Sequence, residues 1–272
     1  MAAKARATAR GGEPGRALGR AAASGVDRVL WWSGLLLVPV LWQVFAAVSE
    51  SPLVVGPVEV AGAAVVMIGD GRLLDAAASS ALVFALGILA GTAAGLVVGI
   101  LVGRFRSVDV VLDPYISALY ATPLVAVIPI LVVALGFGVP AKIVIVSMFA
   151  FFPVALNTAA GVRNIPADLD ELARSFCSSE LAVWRDVLIP GALPYIVTGL
   201  RLAVGRALIA VVVAEFSTAV TGLGFLILRH SRRFQMAEAL VPVVLLMLAG
   251  FVLYSALKRA ERRLGPWMTR DG

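Results

Sequence analysis

The sequence predicts an all-α, polytopic membrane protein with six transmembrane helices. Three observations carry that expectation. The 272 residues are 60% hydrophobic and 15% charged, with a mean hydropathy of +0.96, whereas a soluble domain would carry about 25% charged residues. The apolar residues gather into runs near the ~20 residues that a helix needs to cross ~30 Å of hydrocarbon. Lysine and arginine are spread unequally over the connections between these runs, as membrane orientation requires.

The elements follow in chain order. Residues 1–28, with Lys4, Arg6, Arg10, Arg16, Arg20 and Arg28, read as a disordered basic tail. A cleavable signal peptide does not fit. The apolar run after Arg28 has no small-residue cleavage site at its end, and Trp31 and Trp32 read as an interfacial anchor. The expected spans are 31–48, 80–103, 116–135, 143–162, 195–219 and 240–257. With the N-terminus inside, sixteen Lys and Arg fall on the inner side and five on the outer, leaving Arg201 and Arg206 within the fifth span. Both termini are then cytoplasmic. The outer cluster Arg229–Arg232–Arg233 runs against this bias locally. The net charge of +6 therefore reports orientation rather than nucleic-acid binding. The single cysteine, Cys177, excludes an intrachain disulfide.

Three features inside the spans carry information. Gly87, Gly91, Gly95, Gly99 and Gly103 recur at every fourth position of the second span. They form one smooth stripe that lets a neighbouring backbone approach closely. The stripe reads either as a tight seam, within one subunit or between two, or as a surface that slides during gating. The third span holds Pro123 and Pro129 and ends at Gly136-Phe137-Gly138. Each proline removes a backbone donor and bends the helix. Such a helix either packs with a kink or lines a pathway, where protein or water satisfies the freed carbonyls. The fifth span holds Arg201, Arg206 and Glu215. Arg201 and Glu215 lie near its ends and can snorkel. Arg206 is deeper, where a charge faces protein or a cavity. It is expected to answer Glu215 of another subunit or to meet an anionic solute, since nine residues put Arg206 and Glu215 on opposite faces of one helix.

Between spans four and five the chain is polar and amphipathic. Asp168 or Asp170 can cap a helix start. Leu169, Leu172 and Phe176 share a face. Ser178-Ser179 interrupts before a second short helix with Leu181, Trp184, Val187 and Leu188. Pro190 and Pro194 are expected to stop that helix and turn the chain into span five.

In this segment Glu171-x-Ala173, a long spacer and Ile189-Pro190 resemble the EAA loop of binding-protein-dependent ABC importer permeases, in the nitrate/sulfonate/taurine branch. Further matches are Asp113-Pro114, Pro123, Pro129, Gly136-Phe137-Gly138, Phe151-Phe152-Pro153, Asn157-Thr158, Gly161-Val162-Arg163, the run from Pro190 to Pro194 and that from Thr198 to Arg201. The resemblance covers about 75–262. It implies a type I importer permease fold with a cytoplasmic coupling helix, and a permease domain at 29–262 with its coupling segment at 164–194. A cytoplasmic tail at 263–272 follows.

The resemblance also implies partners. Two permease subunits, expected to be a homodimer, form the solute path in the bacterial inner membrane. ATPase subunits grip the coupling segments through Glu171, Ala173, Cys177, Trp184, Arg185 and Pro190. An extracytoplasmic binding protein delivers the solute, a small organic anion or nitrate. Pro123, Pro129, Asn157, Arg206 and Glu215 are candidates to line the path. ATP and magnesium are expected on the partner ATPase, and no cofactor on this chain, which has no GxxxxGK[ST] sequence.

Departures from the family pattern are Cys177 where glycine is usual, Leu172 for the first alanine of the motif, and Val83 where arginine is frequent. An enzyme is disfavoured. The one histidine, His230, is expected to be a solvated outer-loop residue, and no nucleophile–base or metal cluster is evident. The alternative transport reading is a secondary carrier using Arg206 and Glu215 as a charge relay. It lacks the inverted repeat with paired broken helices expected of that class.

Overall fold

The computed structural model describes residues 33–34, 36–176 and 178–264, with backbone alone at 167, 170, 174 and 261–264. The basic tail, Trp31, Trp32 and Cys177 lie outside the described residues, as does most of the C-terminal tail. All the regular structure described is helical, and the chain forms two compact units that divide after Glu59.

The first unit holds α1 (Leu36–Val48) and the entry into α2 (Pro57–Gly69). Trp42 Nε1 donates to Val55 O at 3.0 Å, and Gln43 Oε1 accepts from Val58 N at 3.2 Å. Glu59 Oε2 accepts from Gly56 N at 2.9 Å, closing the start of α2 as a capping glutamate does, with Pro57 at the position where its missing N–H costs nothing.

The second unit holds the remainder of α2 and the elements that follow. These are α3 (Arg72–Arg104), α4 (Arg106–Ala121), α5 (Leu124–Leu135), α6 (Val139–Arg163), α7 (Ala167–Ser175), α8 (Glu180–Val183), a π-helical turn (Trp184–Leu188), α9 (Ile189–Thr218), α10 (Leu223–Ser231) and α11 (Met236–Leu264). At the α2–α3 turn Gly71 adopts φ 78° and Asp70 accepts from the Arg72 backbone and guanidinium. That side-chain hydrogen bond holds the Asp70 carboxyl below its ordinary pKa.

Helix α6 is the hub. Its glycine-facing side lies parallel to α3: Gly87 meets Val146, Gly91 meets Ser147 and Ala150, Gly95 meets Phe151 and Val154, Gly99 meets Ala155 and Thr158, and Gly103 meets Val162. Its other side lies antiparallel to α9, where Gly161 meets Tyr195 and Gly199 meets Pro153 and Asn157. Val83, Val146, Ala207, Ala210 and Val211 join α3, α6 and α9 in one apolar cluster. Helix–helix association without a hydrophobic force depends on such close backbone approach.

Four helices are long and apolar enough to cross a membrane: α3, α6, the continuous run Glu180–Thr218 and Met236–Ala260 of α11. The expected third span is not one kinked helix. α4 and α5 meet at 97°, and counted together they would be a fifth span. The break falls where Thr122 caps α4 by donating from N and Oγ1 to Ala118 O, and Pro123, lacking an N–H, starts α5 from an extended conformation. The expected first span is described over α1, which is shorter than a full crossing, so the count of six is not reached among the described residues.

A second expectation also changes. Pro190 and Pro194 do not stop a helix. The chain runs through the π-turn directly into α9, with Ile189 N bonded to Trp184 O, five residues back. The wider turn and the first-turn position of Pro190 accommodate the missing donor.

Candidate functional site

Three places hold the sequence-predicted residues. The first is the segment between α6 and α9. Glu171 is exposed on α7, Ala173 is half-buried on the same helix, and Ser178 N donates to Ala173 O at 3.1 Å. Ser179 caps α8 by accepting from Ala182 N at 3.3 Å, so the expected Ser-Ser interruption is where α7 ends and α8 begins. Trp184 is half-buried in the π-turn. Arg185 is exposed beside Asp186 at 2.7 Å, and Pro190 is half-buried at the start of α9. Leu169, Leu172, Phe176 and Leu181 all stand exposed on this short polar stretch. Ion pairs brace the helix ends at this side of the molecule: Arg104 Nη2 lies 3.6 Å from Glu180 Oε2, and Arg163 pairs with Asp109 and, at 3.3 Å, with Asp113.

The second place is at the opposite end of the bundle. Glu215 is fully buried, not snorkelling. Its carboxylate accepts from Ser80 Oγ at 2.7 Å and from Gly224 N at 2.7 Å, and Ser80 Oγ in turn accepts from Leu223 N at 2.8 Å. Lys142 is also buried. Its ammonium donates to Thr221 O and Thr221 Oγ1, both at 2.9 Å, and it attracts the Glu215 carboxylate. The turn between α9 and α10 is thus held by α3 through Ser79 and Ser80, by α6 through Lys142 and by α9 through Glu215. Gly222, at φ 106°, sits directly on the Glu215 carboxylate, where a Cβ would overlap it.

Sequence reasoning missed Lys142, counting it in an outer loop. The available signal was its place one residue before the fourth span. His230 is likewise corrected. It is 2% exposed at the end of α10, with Nδ1 2.9 Å from Gln235 Oε1, because the chain folds back over it at the α10–α11 turn. Among the described residues no cluster of His, Cys, Asp or Glu is placed to hold a metal ion.

The third place is the broken span. Arg206 does not meet Glu215. Its Nη2 donates to Tyr120 Oη at 2.8 Å, and its guanidinium carbon lies 5.0 Å from the centre of the Tyr120 ring. Tyr120 faces Phe152 at 6.0 Å, and Phe152 packs edge-on to Phe151 at 5.1 Å. Pro123 and Pro129 are exposed on the break and on α5. Asn157 faces α9, with Nδ2 donating to Pro153 O at 2.7 Å. The chain does not unite Arg206 and Glu215, so the charge-relay reading finds no support in their geometry.

The described residues form an apolar helical bundle with four helices long enough to cross a membrane and a charged, exposed segment between α6 and α9, the architecture of a polytopic membrane protein. The match to known families agrees. Residues 87–270 fit the binding-protein-dependent transport system inner membrane component, and the chain belongs to that family. It is 32% identical over 248 residues to the putative aliphatic sulfonates transport permease protein SsuC of Bacillus subtilis, covering 89% of this chain and 90% of that one. It is 31% identical over 238 residues to the taurine transport system permease protein TauC of Escherichia coli, covering 85% and 86%. Among solved structures, an amino acid ABC transporter chain shares the fold at a TM-score of 0.55 and 17% identity, over 73% of this chain and 96% of that chain. The chain is a permease subunit of an ABC importer and not an enzyme. ATP hydrolysis belongs to a separate subunit.

Proposed function

We propose that this chain forms the solute path of an ATP-driven importer for small organic anions, sulfonates foremost, and works paired with a second copy of itself. Both termini lie in the cytoplasm, where an ATPase subunit receives the 164–194 segment. An extracytoplasmic binding protein delivers the solute. The observation that carries the coupling reading is the surface of α7 and α8. Leu172, Phe176 and Leu181 are 54%, 77% and 78% exposed beside Glu171, on a stretch too polar to sit in lipid. Large apolar side chains exposed on a polar segment call for a protein to cover them. The Arg104–Glu180 pair joins the start of α8 to the end of α3.

The anion reading draws on the names of the two relatives. The pairing draws on Arg206, since a charge at this depth needs protein or water over it rather than lipid.

The test is Glu171→Ala in the transporter reconstituted with its ATPase and binding protein. Loss of a charge-assisted contact is expected to weaken ATPase docking and uptake about ten- to hundredfold. Unchanged docking and unchanged uptake would remove the assigned role of the loop.

A further inference from the structure

We infer that Arg206, held on Tyr120 at the break between α4 and α5, is an oxyanion-contacting site inside the solute path. The inference rests on the reading of the chain as an organic-anion importer, and it assigns the contact to one side chain. Arg206 lies about 18 Å from the Thr218 end of α9 and about 25 Å from the Ile189 end, at 1.5 Å per residue. Set against the expected span 195–219, these distances put Arg206 near mid-span, where a charge faces protein or a cavity rather than snorkelling to water. Nor is it neutralised within the chain by the acidic residue of its own helix. Glu215 is fully buried, with its carboxylate taken by Ser80 and Gly224.

Among the described residues the partner of Arg206 is the Tyr120 side chain, met by one guanidinium nitrogen at its hydroxyl and by the guanidinium over its ring. That arrangement aims the guanidinium without neutralising it. Arg206 is only partly buried and Tyr120 is 39% exposed, so the pair is accessible from outside the chain.

The local backbone favours the same sign of ligand. The span is broken at Thr122-Pro123, and α5 begins at Leu124. Leu124 packs in the same cluster as Phe152, the ring that Tyr120 faces. The first N–H groups of a helix lack partners one turn back and carry partial positive charge, and at α5 Ala126 N is already taken by Pro123 O at 2.8 Å, which leaves those of Leu124 and Val125. A planar guanidinium with free donors and a half-helix start in one neighbourhood suit a sulfonate or carboxylate head, which accepts several hydrogen bonds at once.

The experiment uses the complete transporter in proteoliposomes, with radiolabelled taurine and ethanesulfonate as probes. The variants are Arg206→Met, Arg206→Lys and Tyr120→Phe. Arg206→Met should lower ATP-dependent uptake about ten- to hundredfold. The complex should still assemble with the ATPase and melt as the wild type does. Arg206→Lys should recover part of the loss, and Tyr120→Phe should raise the concentration for half-maximal uptake more than it lowers the maximum. Wild-type uptake matched by Arg206→Met would overturn this inference alone. Loss of uptake together with loss of assembly, not recovered by lysine, would also overturn it, by making Arg206 a structural residue. Absence of ATP-dependent uptake of either probe by the wild type would overturn the sulfonate reading and this inference with it.

Discussion

Glu215→Ala is expected to be the most destabilising single change in the bundle. The substitution removes the acceptor of two buried donors, Ser80 Oγ and Gly224 N, and takes away a negative charge that attracts the buried Lys142 ammonium. A buried donor left unsatisfied costs about 1–3 kcal/mol. Two such donors put the expected loss at about 2–6 kcal/mol, a large part of the 5–15 kcal/mol by which ordinary proteins are stable. The purified variant should melt well below the wild type in detergent and accumulate poorly in the membrane. Glu215→Gln keeps one acceptor oxygen and should lose about half as much. Combined with Lys142→Met, it should lose less than the sum of the two single changes, because the charges act on each other. Wild-type melting by Glu215→Ala would mean that this cluster contributes nothing to the fold.

Gly91→Ala should be the second large effect, and its sign decides the matter. In an open helix, glycine to alanine gains about 0.8–1 kcal/mol. At Gly91 an added Cβ would meet the backbone carbonyl of Ser147 and lie 2.9 Å from the Ala150 Cβ. A carbonyl within a packed helix cannot rotate away as a side-chain tip can. The α3–α6 seam must open instead, at an overpacking cost of about 1–3 kcal/mol that exceeds the gain. Gly91→Val should be worse. Gly62, in α2, has nothing within 4 Å of its would-be Cβ, so Gly62→Ala serves as the control and should be neutral or stabilising. Equal melting shifts for Gly62→Ala and Gly91→Ala would show that the stripe carries no seam.

The two predictions differ in how far the sequence led to them. A glycine at every fourth position is visible on inspection, because four residues return to nearly the same face of a helix. The partner of that stripe was not visible, since nothing local says which helix approaches. Glu215 stood out as an ionisable residue in a span, yet its ligands come from Ser80, 135 residues away, and from a turn that follows its own helix. Lys142 falls one residue before the expected fourth span and so reads as part of an outer loop. It is buried with its ammonium on Thr221, 79 residues on. His230 was misplaced for the same reason. The 97° break at Thr122-Pro123 was anticipated only as a bend. A proline forbids the continuous helix, but the direction of the next one is set by what it packs against.

Composition and periodicity alone determined an apolar helical chain interrupted by one polar, amphipathic segment, and the resemblance of its motifs to a known family implied the permease class. These properties depend on one face, one turn or one loop at a time, and a linear chain displays them directly. Only the tertiary structure decided which charges are buried and who neutralises them, which helix receives the glycine stripe, and that Arg206 rests on Tyr120. Those outcomes are contacts between residues far apart in the chain. Their energies exist only once the helices have met.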